Sequence, residues 1–189
     1  MNPEPKNSVF DSVRHGLVST IEGTGDVAKA VVDTTATTLA TTIKATGKTG
    51  EASVQAITDI ARGVVHGVTE IGGDLGTAAK GTVIGVMRGT KQVGGETLST
   101  IRHTSSSVIR SSAEVGGDLG TAAKGLVEGA IHGSREVGVS AEAAASAAAT
   151  GALDAAGKVG ANAAKKVQNA VVGTISGVKV VVKKPFTSE

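Results

Sequence analysis

The stretch Gly72-Gly73-Asp74-Leu75-Gly76-Thr77-Ala78-Ala79-Lys80-Gly81 decides the fold, because it returns unchanged at Gly116–Gly125. The separation of 44 residues is twice a shorter period of 22, which runs along most of the chain. A large aliphatic or thioether residue stands at every step of that period: Ile21, Ile43, Val65, Met87, Ile109, Ile131, Leu153 and Ile175. Such regularity predicts that one short unit has been repeated and that function belongs to the array.

The 22-residue period favours α-helix, because 22 residues complete six turns at about 3.67 residues per turn. Within one unit the apolar residues Ile71, Leu75, Ala79, Val83 and Met87 advance in steps of four. The strict alternation expected of a strand is absent, although the glycine, threonine and valine content would also suit a stacked β-solenoid. We expect an all-α fold, either an extended amphipathic helix or a chain of helical hairpins, built from 22-residue (2×11) repeats punctuated by glycine.

Three sets of residues share angles of this helix and are the candidate interaction sites. The residues listed above form the first apolar register, and a second register six residues later adds Ile71, Val93, Val115, Val137 and Val159. We expect both registers to face lipid or a partner. A basic face is expected at Lys44, Lys80, Arg88, Lys91, Arg102, Arg110, Lys124 and Arg135.

The third set, which we call the small register, contains only Gly, Ala, Ser or Thr at two positions four residues apart in each unit. Its members are Ser19/Gly23, Thr41/Ala45, Gly63/Gly67, Gly85/Gly89, Ser107/Ser111, Gly129/Gly133, Gly151/Ala155 and Gly173/Gly177. Small residues at this spacing let two helix backbones approach closely. We expect close helix packing at the glycines Gly63, Gly67, Gly85, Gly89, Gly129, Gly133, Gly173 and Gly177.

The chain divides into a disordered leader at 1–8, about eight 22-residue helical repeats over 9–182, and a disordered tail at 183–189. Glycine pairs such as Gly72-Gly73 are expected to separate the helices, and the acid after each pair to cap the next helix start. Ser105–Ser107 is the predicted break or hinge, whereas the alanine-rich stretch 141–156 is expected to be the most persistent helix. A short strand is one alternative for residues 178–185.

Composition excludes several function classes. The chain has 189 residues, a net charge of +2, no cysteine and only two aromatic residues, Phe10 and Phe186. These features argue against nucleic-acid binding, thiolate chemistry and structural zinc. No converging polar groups suggest an enzyme, a cofactor, a metal site or a small-molecule substrate. We expect a cytoplasmic protein, on the periphery of a membrane or lipid inclusion, because no secretory signal or membrane-spanning apolar run occurs.

Three strings carry a resemblance to known families, and the first two are Ala61-Arg62-Gly63-Val64-Val65-His66-Gly67-Val68-Thr69 and Lys80-Gly81-Thr82-Val83-Ile84-Gly85-Val86. Together with Lys124–Gly129 they resemble the 11-residue repeats of synucleins. Perilipins and exchangeable apolipoproteins share the period, and Gly76–Lys80 gives a weaker likeness to late-embryogenesis-abundant proteins. The synuclein consensus Lys-Thr-Lys-Glu-Gly-Val is absent, so the likeness rests on period and layout. It implies an array that becomes an extended helix on a lipid surface.

Three functional hypotheses follow from the sequence. In the first, the chain is a peripheral lipid-surface-binding protein whose first apolar register enters the acyl boundary while the basic face meets headgroups. In the second, the small register packs helices into a self-assembling structural protein, so that the partner is another copy. In the third, the chain is a stress-protective disordered protein.

Overall fold

The computed structural model describes residues 9–46 and 50–182 and is all-helical apart from one short β-hairpin. The hairpin pairs β1 with β2 antiparallel, so that Gly173 lies opposite Val180. The elements in chain order are α1 (Val9–Thr24), α2 (Val27–Thr46), α3 (Glu51–Glu70), α4 (Leu75–Gln92), α5 (Thr97–Glu114), α6 (Leu119–Val137), α7 (Ala141–Val159), α8 (Ala161–Val171), β1 (Gly173–Ile175) and β2 (Val178–Val180).

Glycine pairs end α3, α4 and α5 in the same way. Gly72, the first residue of one pair, has φ +69°, a left-handed conformation that side chains disfavour. Its N–H donates to the Thr69 carbonyl at 3.1 Å, and the N–H of Gly73 donates to the Val68 carbonyl at 2.8 Å. These two bonds form a Schellman motif, which satisfies carbonyls that the ending helix leaves unpaired. The pairs beginning at Gly94 and Gly116 have matching φ values of +71° and +70°.

Two of the acids that follow these pairs start the next helix. The Asp74 carboxylate accepts the Thr77 N–H at 2.7 Å, and the Asp118 carboxylate accepts the Thr121 N–H at 3.0 Å. The third acid, Glu96, occupies the N-cap position without a side-chain cap bond. The predicted separation of helices at glycine pairs is confirmed, and capping holds for the two aspartates.

The helices pack as a bundle of two rows. Each helix contacts its sequence neighbours, and the contacts between helices two apart join α1, α3, α5 and α7 into one row and α2, α4, α6 and α8 into the other. The buried core comprises two clusters, one centred on α1 to α4 and the other on α4 to α8. The chain therefore reverses direction at each turn and does not continue as one extended helix.

Two local predictions have different outcomes. The break predicted at Ser105–Ser107 is wrong, because α5 continues through these residues and buries Ser105 and Ser107. Packing against neighbouring helices here outweighs the low helix preference of serine. The alternative of a short strand near residues 178–185 is confirmed for Val178–Val180. The predicted leader at 1–8 and tail at 183–189 lie outside the described residues.

Candidate interaction surfaces

The first apolar register lies mainly inside the bundle. Six members are buried, and the last two, Leu153 and Ile175, are half-buried. Ile175 lies in β1 and not in a helix. The buried members are Ile21, Ile43, Val65, Met87, Ile109 and Ile131. The surface expected to meet lipid or a partner is therefore occupied by neighbouring helices of the same chain.

The second apolar register lies where helices end. Ile71, Val93 and Val115 are the C-cap residues of α3, α4 and α5, and Val137 is the last residue of α6. All four are half-buried, whereas the side chain of Val159 is 46% exposed. These residues cover the edge of the core beside each turn and do not form a continuous apolar face.

The small register lies where helices two apart approach closely. From α3 to α7 both members on each helix are buried. A Cβ added at Gly85 would lie 2.7 Å from the Val32 carbonyl oxygen of α2, and one at Gly129 would lie 2.6 Å from the Lys80 carbonyl oxygen of α4. No real Cβ tolerates such distances, so glycine sets the spacing of neighbouring helices within each row.

The other helical glycines of the expected packing set make related contacts. A Cβ at Gly63 would lie 2.8 Å from the Phe10 carbonyl oxygen, and one at Gly133 would lie 2.8 Å from the Met87 sulfur. Two members are less tightly confined, since the nearest approaches are 3.4 Å at Gly67 and 3.0 Å at Gly89. Both distances still bring backbone of a neighbouring helix into contact.

Gly173 and Gly177 differ from the rest of the set, and the expectation of helix packing does not hold for them. Both lie in the β-hairpin region with φ +118° and +79°, and a Cβ at either would meet no atom within 4 Å. The 22-residue spacing continues into this segment, but the helix ends at Val171. These two glycines serve the hairpin's backbone conformation and not a close approach between helices.

The basic residues are paired with acids along the rows in a consistent direction. Among the described residues, five ion pairs join helices two apart, and in each the cation belongs to the earlier helix and the acid to the later one. The pairs are Arg14–Glu70 at 3.1 Å, Arg62–Glu114 at 3.6 Å, Lys80–Glu128 at 4.0 Å, Arg88–Glu136 at 2.6 Å and Arg102–Asp154 at 2.5 Å. This direction gives the array a charge polarity.

The Arg88–Glu136 pair is the strongest of these contacts geometrically, since Arg88 Nε and Nη2 donate to the two carboxylate oxygens at 2.6 and 2.9 Å. These bonds hold the pKa of Glu136 below its ordinary value and that of Arg88 above its own. Lys91 Nζ also donates to the Glu136 carbonyl oxygen at 2.5 Å.

The remaining basic residues do not form a uniform cationic face. Lys124 Nζ lies 3.9 Å from Glu128, which also meets Lys80, and Arg110 donates to the Ser106 hydroxyl at 3.4 Å. Lys44 and Arg135 are exposed. The basic face expected from the helical angle is thus interleaved with acids supplied by neighbouring helices.

The exposed surfaces at the two ends of the rows were not predicted from the sequence. At the first end, the leading face consists of the exposed small residues of α1 and α2: Ser19, Gly23, Thr37, Thr41 and Ala45. A groove of about 440 Å³ lies beside it, lined by Gly16, Thr20, Lys29, Ala30, Asp33, Thr34, Thr37 and Thr38. The repeat did contain a signal for this surface. Helices α1 and α2 carry the small register, but within the described chain no earlier helix covers it.

At the other end, the hairpin lies over α7, and the Ser146 hydroxyl donates to the Val181 carbonyl. The outer side of α8 is more open, and we call it the trailing face. It borders a depression of about 830 Å³ lined by Ala161, Ala164, Lys165, Gln168, Asn169 and Val172. Residues 155–182 contain four exposed lysines and no acid: Lys158, Lys165, Lys166 and Lys179.

Buried hydroxyls are a second feature that periodicity did not reveal. Thr35, Ser105 and Ser112 are fully buried, and their hydroxyl oxygens have no hydrogen-bond partner. Ser105 occupies a core position that Val83 and Val127 occupy one period to either side. The hydroxyls therefore weaken the core, and nothing converges on them to make a binding site.

Evidence for other chemistry is limited within the part of the chain that the structure describes. No group of three or more histidine or acidic side chains there is placed to hold a metal ion. No helix in the described ranges has the length and apolar composition needed to cross a membrane. Comparison with protein-family models and with curated proteins finds no match to this chain.

Proposed function

We propose that this chain is a non-enzymatic structural protein whose helical bundle associates with further copies of itself. The observation that carries the proposal is the small register, which joins helices within each row but is exposed on α1 and α2. The same kind of surface that packs Gly85 and Gly129 against earlier helices is thereby left accessible at one end. An accessible surface of this packing type leaves room for a further helix to pack against it.

We also propose that the bundle is an array of 22-residue repeats. Glycines with positive φ recur at this spacing, at Gly50, Gly72, Gly94, Gly116, Gly138 and Gly160. Because each repeat contributes one helix and its turn, stability comes from contacts with neighbouring repeats. A face that lacks a neighbour is then the natural place for growth of an assembly.

The test is the mass of the purified full-length chain over a wide concentration range, measured by size-exclusion chromatography with multi-angle light scattering. We expect strong helical circular dichroism without lipid and a mass that rises above 18.5 kDa with concentration. A helical protein that stayed at the monomer mass throughout would contradict the proposal. Far-UV spectra at the lowest and highest concentrations separate association of folded chains from coupled folding and binding.

Lipid-surface binding is a second candidate function, favoured by the composition of the C-terminal end. Val159, Val172 and Val181 are exposed to 46%, 57% and 57%, and they lie in a segment whose only charged side chains between 155 and 182 are lysines. Exposed apolar groups among cations suit an anionic lipid interface. Binding through the first apolar register would instead require the bundle to open, because most of that register is buried.

Vesicle flotation tests this candidate. If the C-terminal end binds anionic vesicles, Val172→Glu should reduce flotation, whereas Val54→Glu on α3, where Val54 is 38% exposed, should leave it unchanged. A large gain of helix on adding vesicles would instead indicate opening of the array. Failure of the wild-type chain to float with either anionic or neutral vesicles would remove lipid binding from consideration.

A further inference from the structure

We infer that the partner on the leading face is the trailing face of a second copy, so that chains join head to tail and continue the even-numbered row. This inference rests on the proposed self-association and adds its geometry. The occupant is α8 of another molecule, laid against α2. Three features support this contact: its register, the direction of the charges, and the space on each face.

The register of the contact is repeated inside the chain. In the even-numbered row, the Val32 carbonyl of α2 faces Gly85 of α4, and the Gly76 residue of α4 faces Gly125 of α6. Ala164 on α8 lies six periods after Val32 and four periods after Gly76. Ala164 on the trailing face therefore occupies the repeat position at which the earlier helix meets the later one in both internal contacts.

The receiving positions are present on the leading face. Thr41 lies two periods before Gly85, and Thr37 lies four periods before Gly125. Both are exposed and small, as the receiving side of this contact requires. Ala164 of one copy is thus placed to lie against Thr37 and Thr41 of the next, and the α2–α4 contact continues across the joint between molecules.

The charges favour the same direction. In all five described ion pairs between helices two apart, the earlier helix supplies the cation and the later one the acid. Across a head-to-tail joint the earlier helices carry Lys158, Lys165, Lys166 and Lys179. The leading helices α1 and α2, with the turn between them, carry three exposed acids, Glu22, Asp26 and Asp33, and two exposed lysines, Lys29 and Lys44, so their exposed charge is slightly negative. A face-to-face pairing of two leading faces would bring two slightly negative surfaces together and would lack the four lysines of the other end.

The space on each face suits a helix. The groove beside the leading face has a volume of about 440 Å³ and is lined mainly by threonine, alanine and glycine. The outer side of α8 is exposed at Lys165, Gln168 and Asn169 and half-buried at Ala164. Such a joint is heterologous, with different surfaces on the two partners, and it does not close on itself unless the rotation forms a ring.

Two variants that each block one face test this geometry in the full-length chain. Thr41→Arg places a long side chain on the leading face, and Ala164→Glu places a bulky acid on the trailing face. We expect the dissociation constant for self-association of each variant alone to be about tenfold or more above that of wild type, because overpacking a close contact weakens it. Ser99→Arg, at an exposed position on the side of the bundle, should associate as wild type does.

Mixing is the decisive measurement. Each single variant retains one intact face, so an equimolar mixture of Thr41→Arg and Ala164→Glu should form a discrete species of two chains, each of 18.5 kDa, and nothing larger. Circular dichroism and the thermal midpoint of each variant, matched to wild type, establish that both are folded. Raised salt should weaken wild-type association, since the joint pairs charges of opposite sign.

The outcomes distinguish a failure of self-association from a failure of the head-to-tail joint alone. A wild-type chain that is monomeric at every concentration overturns self-association itself and the head-to-tail joint with it. Wild-type association that neither variant alters, or an Ala164→Glu chain that still dimerises normally by itself, overturns only the head-to-tail joint. Discrete heterodimers from two variants that are monomeric alone support it.

Discussion

Replacing Gly151 of α7 by alanine should destabilise the bundle, whereas the same replacement at Gly157 in the same helix should stabilise it. A Cβ at Gly151 would collide with the Arg102 carbonyl oxygen of α5 and lie 3.0 Å from its carbonyl carbon. A Cβ at Gly157 would meet no atom within 4 Å. The two substitutions are chemically identical, so their difference isolates the close approach of α5 and α7.

The magnitude follows from two opposing contributions. Alanine in place of glycine favours a helix interior by up to about 1 kcal/mol. Overpacking a well-packed core costs about 1–3 kcal/mol, and the upper part of that range applies at Gly151 because backbone atoms of Arg102 cannot rotate away. We expect a net loss of about 1–2 kcal/mol at Gly151 and a gain of up to about 1 kcal/mol at Gly157.

The assay is urea unfolding followed by far-UV circular dichroism, with thermal melting as a second measure. The melting midpoints of the two variants should differ by roughly 5–10 °C for a chain of this size. Equal or greater stability of Gly151→Ala relative to wild type would refute the conclusion that glycine sets the spacing of helices within each row. A loss of stability in Gly157→Ala would make it unsuitable as the matched control, because it would imply that the added Cβ contacts another group.

Three further predictions concern other parts of the molecule. Ser105→Val should raise the unfolding midpoint in urea, by about 1 kcal/mol in free energy, because it removes a buried hydroxyl without a partner; an unchanged or lowered midpoint would contradict this. Asp74→Ala should cost about 1 kcal/mol at neutral pH through loss of the helix cap, whose bond from Thr77 lowers the Asp74 pKa. Since that pKa is lowered, the cap's contribution is present above the ordinary value of 3.8 and is lost as pH falls through the folded-state pKa, so wild type and variant should converge in acid unfolding curves. Arg88→Met should raise the pKa of Glu136 toward 4.5 in an NMR titration while changing stability by less than about 1 kcal/mol, because both side chains are over a third exposed; an unmoved titration would mean that the pair does not form in solution.

Local signals in the sequence determined where α3, α4 and α5 end and where α4 and α6 begin. A glycine pair followed by an acid supplies the left-handed residue that ends one helix and, at Asp74 and Asp118, the carboxylate that caps the next. Both effects depend on bonds between residues at most five apart, so they can be read without knowing the rest of the fold. The break predicted from local preference at Ser105–Ser107 was wrong, because burial in α5 overrides the low intrinsic helix preference of serine.

The period also determined which residues share a face, but only the tertiary structure decided what covers that face. Burial of Ile21, Val65 or Met87 against a neighbouring helix, a second chain or lipid removes similar apolar area from water. The sequence pattern is therefore the same in all three cases, and it could not distinguish a packed bundle from an extended helix on a surface. Whether Gly85 receives another helix likewise depends on the approach of α2, which is distant in sequence and was visible only in the folded chain.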